Sequence, residues 1–151
     1  MAKNFLDKAK ELFGGDQKLH FEPKDNISRD CPSDYRQTIT SVAKDIRSFL
    51  GTYLDEPNNG LTSEELSVYV KISGDNKTLY SLTVLRKRQN MSTDNTVYKN
   101  SIFQTLGRGK NSFSFKISVA IFIKNRNKRG IDRAADLYRK LENFLEVKHK
   151  W

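Results

Sequence analysis

The chain has few of the residues on which cross-links and most catalytic sites depend. Its 151 residues include one cysteine, two histidines and three prolines. A single cysteine excludes an intrachain disulfide, and three Cys and His residues are too few for a four-ligand structural zinc site. These shortages argue against a disulfide-stapled secreted protein and against a zinc domain.

Long apolar runs are also missing. The most apolar stretch, 112–124, is interrupted by Ser114, Lys116 and Ser118, and no run reaches the ~20 residues that cross a bilayer. The first residues lack the unbroken apolar block of a secretory signal. Together with the single cysteine, these features lead us to expect a cytoplasmic protein without a transmembrane segment.

Groups that could carry catalysis are sparse and isolated. His20 lies in a predicted linker, His149 stands between two lysines, and Cys31 is flanked by aspartates that raise the pKa of a thiol. The loop 107–112 lacks the spacing of a phosphate-binding glycine loop and precedes a strand. We therefore predict a non-enzymatic protein with no metal and no cofactor.

Basic residues are abundant, and they are unevenly placed. The chain carries 27 Lys and Arg against 18 Asp and Glu, a formal net charge of +9. Residues 1–76 hold ten basic and thirteen acidic residues, whereas residues 77–151 hold seventeen and five. Such an excess repels itself unless it is spread over surface or faces an anionic partner. The second half therefore carries the strongest functional signal.

Hydrophobic periodicity predicts two long helices and three clear strands. Ser33 is expected to cap the first helix, because its hydroxyl can accept a hydrogen bond from a free amide of the first turn. The turn 74–77 joins the first two strands into a hairpin. The predicted helices are 34–54 and 130–147, and the predicted strands are 66–73, 79–88 and 113–123.

Residues 96–106 fit either a strand or a short helix ended by Gly107, and we favour a strand. The predicted fold is α+β: an antiparallel sheet of three to four strands, with a long helix before it and a helix after it. In a meander of these strands, 79–88 and 113–124 run parallel. The basic carboxyl-terminal ends of these two strands then lie side by side at one end of the sheet.

The N-terminal part reads as an accessory segment. Residues 1–15 predict a short amphipathic helix ended by Gly14-Gly15. Residues 16–32, with two prolines, predict a linker that could include a short strand at 19–21. A single α+β domain is predicted over 33–151. The apolar side of the first helix is a candidate partner-binding surface, formed by Phe5, Leu6, Leu12 and Phe13.

Basic residues of the second half cluster at strand ends, in loops and at the start of the last helix. Lysine and arginine in such clusters suit phosphates, and Tyr69, Tyr80, Tyr98 and Phe122 are candidates for base stacking. We predict nucleic-acid binding with little sequence specificity, RNA or DNA being undecided. The expected contact residues are Arg86, Lys87, Arg88, Arg108, Lys110, Lys124, Arg126, Lys128, Arg129 and Arg133.

The same basic surface also fits a different class of protein. An adaptor, chaperone or immunity-type protein would use it to bind an acidic protein. The helices 2–13 and 130–147 would then be available to pair in a homo-oligomer or to hold that partner. The sequence leaves both alternatives open.

Overall fold

The computed structural model describes residues 19–23, 27–56, 66–86, 96–123 and 128–151, and it confirms the α+β class. All strand pairs are antiparallel, and they form one sheet in the order β1-β3-β2-β5-β4. The expected N-terminal helix lies outside the described residues. The elements in chain order are β1 (His20–Pro23), α1 (Arg36–Asp55), β2 (Leu66–Gly74), β3 (Lys77–Arg86), β4 (Thr96–Leu106), β5 (Phe113–Ile123) and α2 (Lys128–His149).

The described sheet has five strands, so the expectation of three to four is wrong. The additional strand is β1, which pairs with β3 through His20 opposite Leu85 and Phe21 opposite Val84. Residues 20–23 therefore form a strand of the sheet, close to the short strand that the sequence allowed at 19–21. Four residues are too few to show a hydrophobic period, and pairing with the edge of β3 holds them in place.

Residues 96–106 form a strand, as favoured, but the sheet is not a meander. Strand β5 lies between β2 and β4, because β5 pairs with both of them. Strands β3 and β5 flank β2 and run parallel, with Arg86 and Ile123 on either side of Leu66. As expected, the carboxyl-terminal ends of β3 and β5 therefore lie at the same end of the sheet. They are about 10 Å apart, at a strand spacing of ~4.8 Å.

Both helices pack on one face of the sheet. The buried positions of β2 and β5 alternate strictly, as in Leu66–Gly74 and Phe113–Ile123. Phe49 of α1 meets Phe144 of α2 with their ring centroids 5.1 Å apart. Tyr35, just before α1, stacks on Phe113 of the sheet at 5.5 Å. The alternation leaves the other side chains of the strands on the opposite face of the sheet.

The helix boundaries differ in detail from the sequence-based expectation. A 3₁₀ turn at Ser33–Tyr35 precedes α1, and no side chain caps that turn or α1, so Ser33 is not an N-cap. Pro32 starts the turn in extended backbone instead. Helix α2 is a turn longer than predicted, and Ile131 is 44% exposed despite its place in the apolar pattern. No helix in the described ranges is both long and apolar enough to cross a membrane.

A hydrogen bond between the two helices is expected to make stability depend on pH. Tyr53 Oη of α1 donates to Asp136 Oδ2 of α2 at 3.0 Å, and Lys140 Nζ lies 3.2 Å from the same oxygen. Burial raises the pKa of Asp136, but these partners outweigh it and hold the pKa below its ordinary value. The carboxylate therefore stabilises the fold above about pH 4, and this contribution disappears as pH falls through the lowered native pKa.

We expect Asp136→Asn to lower the free energy of unfolding at pH 7 by about 1 kcal/mol or less, because the carboxylate is partly solvated. The difference from the wild type should shrink between pH 7 and pH 2, as the pH falls through the lowered native pKa of Asp136. Urea unfolding followed by circular dichroism at the two pH values measures this. Asp132→Asn, at an exposed position of α2, is the control. A difference at pH 2 as large as the one at pH 7 would contradict the assignment.

Candidate functional site

The face of the sheet opposite the helices is the candidate site, and we call it the open face. Its side chains alternate with the buried ones, and none of them is buried. In antiparallel pairs, residues directly opposite each other share a face, so the pairing fixes the membership. From β2 to β5 the open face includes Ser67, Tyr69, Lys71, Ser73, Thr78, Ser81, Thr83, Leu85, Lys99, Ser101, Phe103, Thr105, Ser114, Lys116, Ser118, Ala120 and Phe122.

The charge of the open face has one sign. Lys71, Lys99 and Lys116 are its charged residues from β2 to β5, and no aspartate or glutamate lies among these positions. None of the three lysines forms an ion pair within the described residues. Glu22 of β1 lies on the outer strand of the same face. Strands β2, β5 and β4 therefore present three lysines on this face that have no ion-pair partner among the described residues.

A groove of about 480 Å³ runs along β5 on the open face. Its floor is formed by Ser118 and Ala120, whose side chains are short. Tyr69 and Lys71 of β2 line one side, and residues of β4 line the other. Since β2 and β4 are two strand spacings apart, the sides are about 10 Å apart. A groove of this volume lies within the range of small-ligand sites.

Aromatic rings line both sides of this groove. Tyr69 is 37% exposed on the β2 side, and Phe103 is 72% exposed on the β4 side. Of the rings expected from the sequence to stack on bases, Tyr69 and Phe122 do lie on the open face. Tyr80 is buried in the core, and Tyr98 packs on Tyr138 of α2 with centroids 5.9 Å apart. Those two rings are not available to a ligand.

Arg86 is a structural residue, and its predicted phosphate contact is wrong. The residue is 1% exposed. Its Nη2 donates to the Leu54 carbonyl oxygen at 2.8 Å and to Asp55 Oδ1 at 3.3 Å. Burial lowers the pKa of Arg86, and Asp55 opposes that shift. Through these hydrogen bonds the guanidinium links the end of α1 to the end of β3, and it does not reach solvent.

The other predicted basic residues fall into three groups. Arg108 and Lys110 are exposed in the turn between β4 and β5, at the opposite end of the sheet from Arg86. Arg133 is half-buried on α2, and Lys128 and Arg129 begin α2 with only their backbone described. The structure therefore does not join the described members into one patch. Lys87, Arg88, Lys124 and Arg126 lie outside the described residues, as do Phe5, Leu6, Leu12 and Phe13.

Cys31 and His149, two potentially reactive side chains, both contact neighbouring residues. Cys31 is buried, which raises the pKa of its thiol, while Arg36 opposes that shift. His149 Nε2 lies 2.9 Å from Asp45 Oδ2, and the imidazole stacks on Trp151. Within the described ranges, no group of three or more His, Cys, Asp or Glu side chains is placed to hold a metal ion.

No protein-family model, curated protein or solved structure matches this chain. Sequence reasoning missed Lys71, Lys99, Lys116 and Phe103 as site residues. The alternation in β5 marks Lys116 as opposite to the apolar series. In β4 both faces carry apolar residues, so only the pairing with β5 assigns Phe103 to the open face.

Proposed function

We propose that this protein binds nucleic acid by placing phosphates against the lysines of the open face. The proposal is based on Lys71, Lys99 and Lys116. No acidic residue lies beside them on the open face of β2 to β5, and none of the three forms an ion pair within the described residues. A polyanion neutralises these charges and releases its counterions on binding. Arg108 and Lys110 extend the basic surface beyond one end of the sheet, where Asp75 of the β2–β3 turn also lies.

The composition of the open face favours contacts to the backbone of the nucleic acid over reading of its sequence. Hydroxyl groups surround the lysines at Ser101, Ser118 and neighbouring positions, and hydroxyls are common phosphate contacts. Arginine, asparagine and glutamine, which read base edges by paired hydrogen bonds, are absent from the open face of β2 to β5. Binding is therefore expected to depend strongly on salt and weakly on sequence.

The test is fluorescence anisotropy with a labelled 15-nucleotide strand of mixed sequence at 50 and 200 mM salt. With three phosphates neutralised, log affinity should fall against log salt with a slope of about −2 or steeper. The variant Lys71→Gln/Lys99→Gln/Lys116→Gln should weaken binding at 50 mM salt by roughly tenfold and should flatten the slope by about 2. The thermal unfolding curve of the variant shows whether the fold is intact.

A matched control removes the same charge elsewhere. The variant Lys44→Gln/Lys148→Gln/Lys150→Gln changes three exposed lysines away from the open face, and we expect it to keep the salt slope of the wild type. Equal weakening by the two triple variants would show that net charge alone attracts the strand. Displacement of the strand by polyglutamate at equal charge would favour the acidic-protein alternative instead.

A further inference from the structure

We infer that the nucleic acid held by the open face is single-stranded and that two of its bases stack on Tyr69 and Phe103. This inference rests on the function proposed above, and it adds the class of nucleic acid and the contacts that select it. The observation behind it is the pairing of aromatic and basic side chains across a shallow groove.

Both aromatic residues are exposed on the open face, Phe103 more than Tyr69. Tyr69 lies between Thr83 on β3 and Ala120 on β5, two residues with short side chains, and 37% of its surface is exposed. Phe103 lies on β4, an edge strand, with Lys116 as its cross-strand neighbour on β5. The floor between the rings is formed by Ser118 and Ala120. A flat ring can therefore approach either aromatic side chain from the solvent.

Each ring has a lysine within one nucleotide's reach. Lys71 follows Tyr69 on the same face of β2, about 7 Å along the strand. Lys116 lies directly across from Phe103. A base stacked on either ring would thus place its own phosphate near an ammonium group. Stacking tolerates any base, since every base has a π face.

A duplex cannot use these rings in the same way. Its bases are paired and stacked on one another, so their faces are not exposed until the duplex is opened. An unpaired strand can turn its bases outward onto aromatic side chains. Phe103 is 72% exposed, so a base stacked on it would remove apolar surface from water on both partners.

The experiment compares labelled dT15 with the dT15·dA15 duplex, at one salt concentration, by fluorescence anisotropy. We expect the wild type to bind dT15 at least tenfold more tightly than the duplex. Tyr69→Ala and Phe103→Ala should each weaken dT15 binding by roughly tenfold and leave duplex binding unchanged. Phe103→Trp should retain dT15 binding, because a larger ring preserves the stack. Val147→Ala, at an exposed apolar position on α2, is the control and should change neither affinity.

The outcomes separate this inference from the function on which it rests. The stacking inference is overturned if the two probes bind with equal affinity and both alanine variants bind like the wild type. Phosphate binding still stands in that case if the open-face lysine variant binds more weakly. Failure of both probes to bind at 50 mM salt overturns both proposals. Because Tyr69 and Phe103 lie on the open face, we expect the alanine variants to keep the melting temperature of the wild type. An unchanged melting temperature shows that a loss of affinity is not caused by unfolding.

Discussion

Replacing Arg86 with alanine is expected to lower the free energy of unfolding by about 3 kcal/mol. The substitution removes the donor to the Leu54 carbonyl oxygen, and it leaves a cavity where the buried guanidinium and its stem were packed. For a chain of this length the melting temperature should fall by roughly 10 °C. Thermal and urea unfolding followed by circular dichroism measure the loss.

Two further variants separate the buried hydrogen bond from the ion pair. Asp55 is exposed, with 66% of its side-chain surface in solvent, so Asp55→Asn should cost less than about 1 kcal/mol. Arg86→Lys keeps the charge but loses the guanidinium fork. Its stability should lie between that of Arg86→Ala and that of Asp55→Asn. The affinity of Arg86→Lys for nucleic acid, measured well below its melting temperature, should match the wild type. A large loss of affinity without loss of stability would return Arg86 to the binding surface.

Alanine at Gly74 is expected to destabilise the protein by about 2 kcal/mol through a steric clash. A Cβ atom at this position would lie 2.5 Å from Phe113 Cζ. The ring cannot retreat easily, because it is buried and stacked between Tyr35 and Phe115. Overpacking of this kind typically costs 1–3 kcal/mol. The backbone of Gly74 has no positive φ, so close approach and not conformation requires the glycine.

A double-mutant cycle tests the clash directly. Phe113→Leu removes the ring edge and by itself should destabilise the core by forming a small cavity. In the presence of Phe113→Leu, the additional loss from Gly74→Ala should shrink by at least about 1 kcal/mol. Gly51→Ala is the matched control: its Cβ would lie 3.4 Å from Phe21 Cζ, an ordinary contact, and alanine favours the interior of α1. Additive losses in the cycle would rule out the contact with Phe113 as the cause.

The sequence predicts those elements whose own period is long and clean. Helix α1, the β2–β3 hairpin, β5 and α2 each span at least two turns or eight residues of regular alternation, and each was located within a few residues. Strand β1 is too short to carry such a signal. The order of strands was beyond local periodicity, because the pattern shows that a strand has an apolar face but does not show which strand lies beside it.

The candidate site was less accessible from the sequence than the fold. Charge counting drew attention to loops rich in lysine and arginine, and it placed Arg86 among them. Burial reverses the role of Arg86, since a guanidinium that bonds a helix carbonyl in the core cannot contact a phosphate. Lys99 and Phe103 occur in a strand with apolar residues on both faces. Only the register with β5 shows that they share a surface with Tyr69 and Lys71.

The position of β5 has a consequence for how the chain folds as it is synthesised. Strand β5 supplies the partner of β2 on one side and of β4 on the other, and its pairs with β2 join residues as distant as Leu66 and Ile123. Contacts between distant residues close slowly, because a long loop must be ordered first. A nascent chain that ends before residue 113 therefore exposes one edge of β2 and both edges of β4. Unpaired edges are the surfaces through which incomplete sheets aggregate, and the pairing of β5 covers the second edge of β2 and one edge of β4.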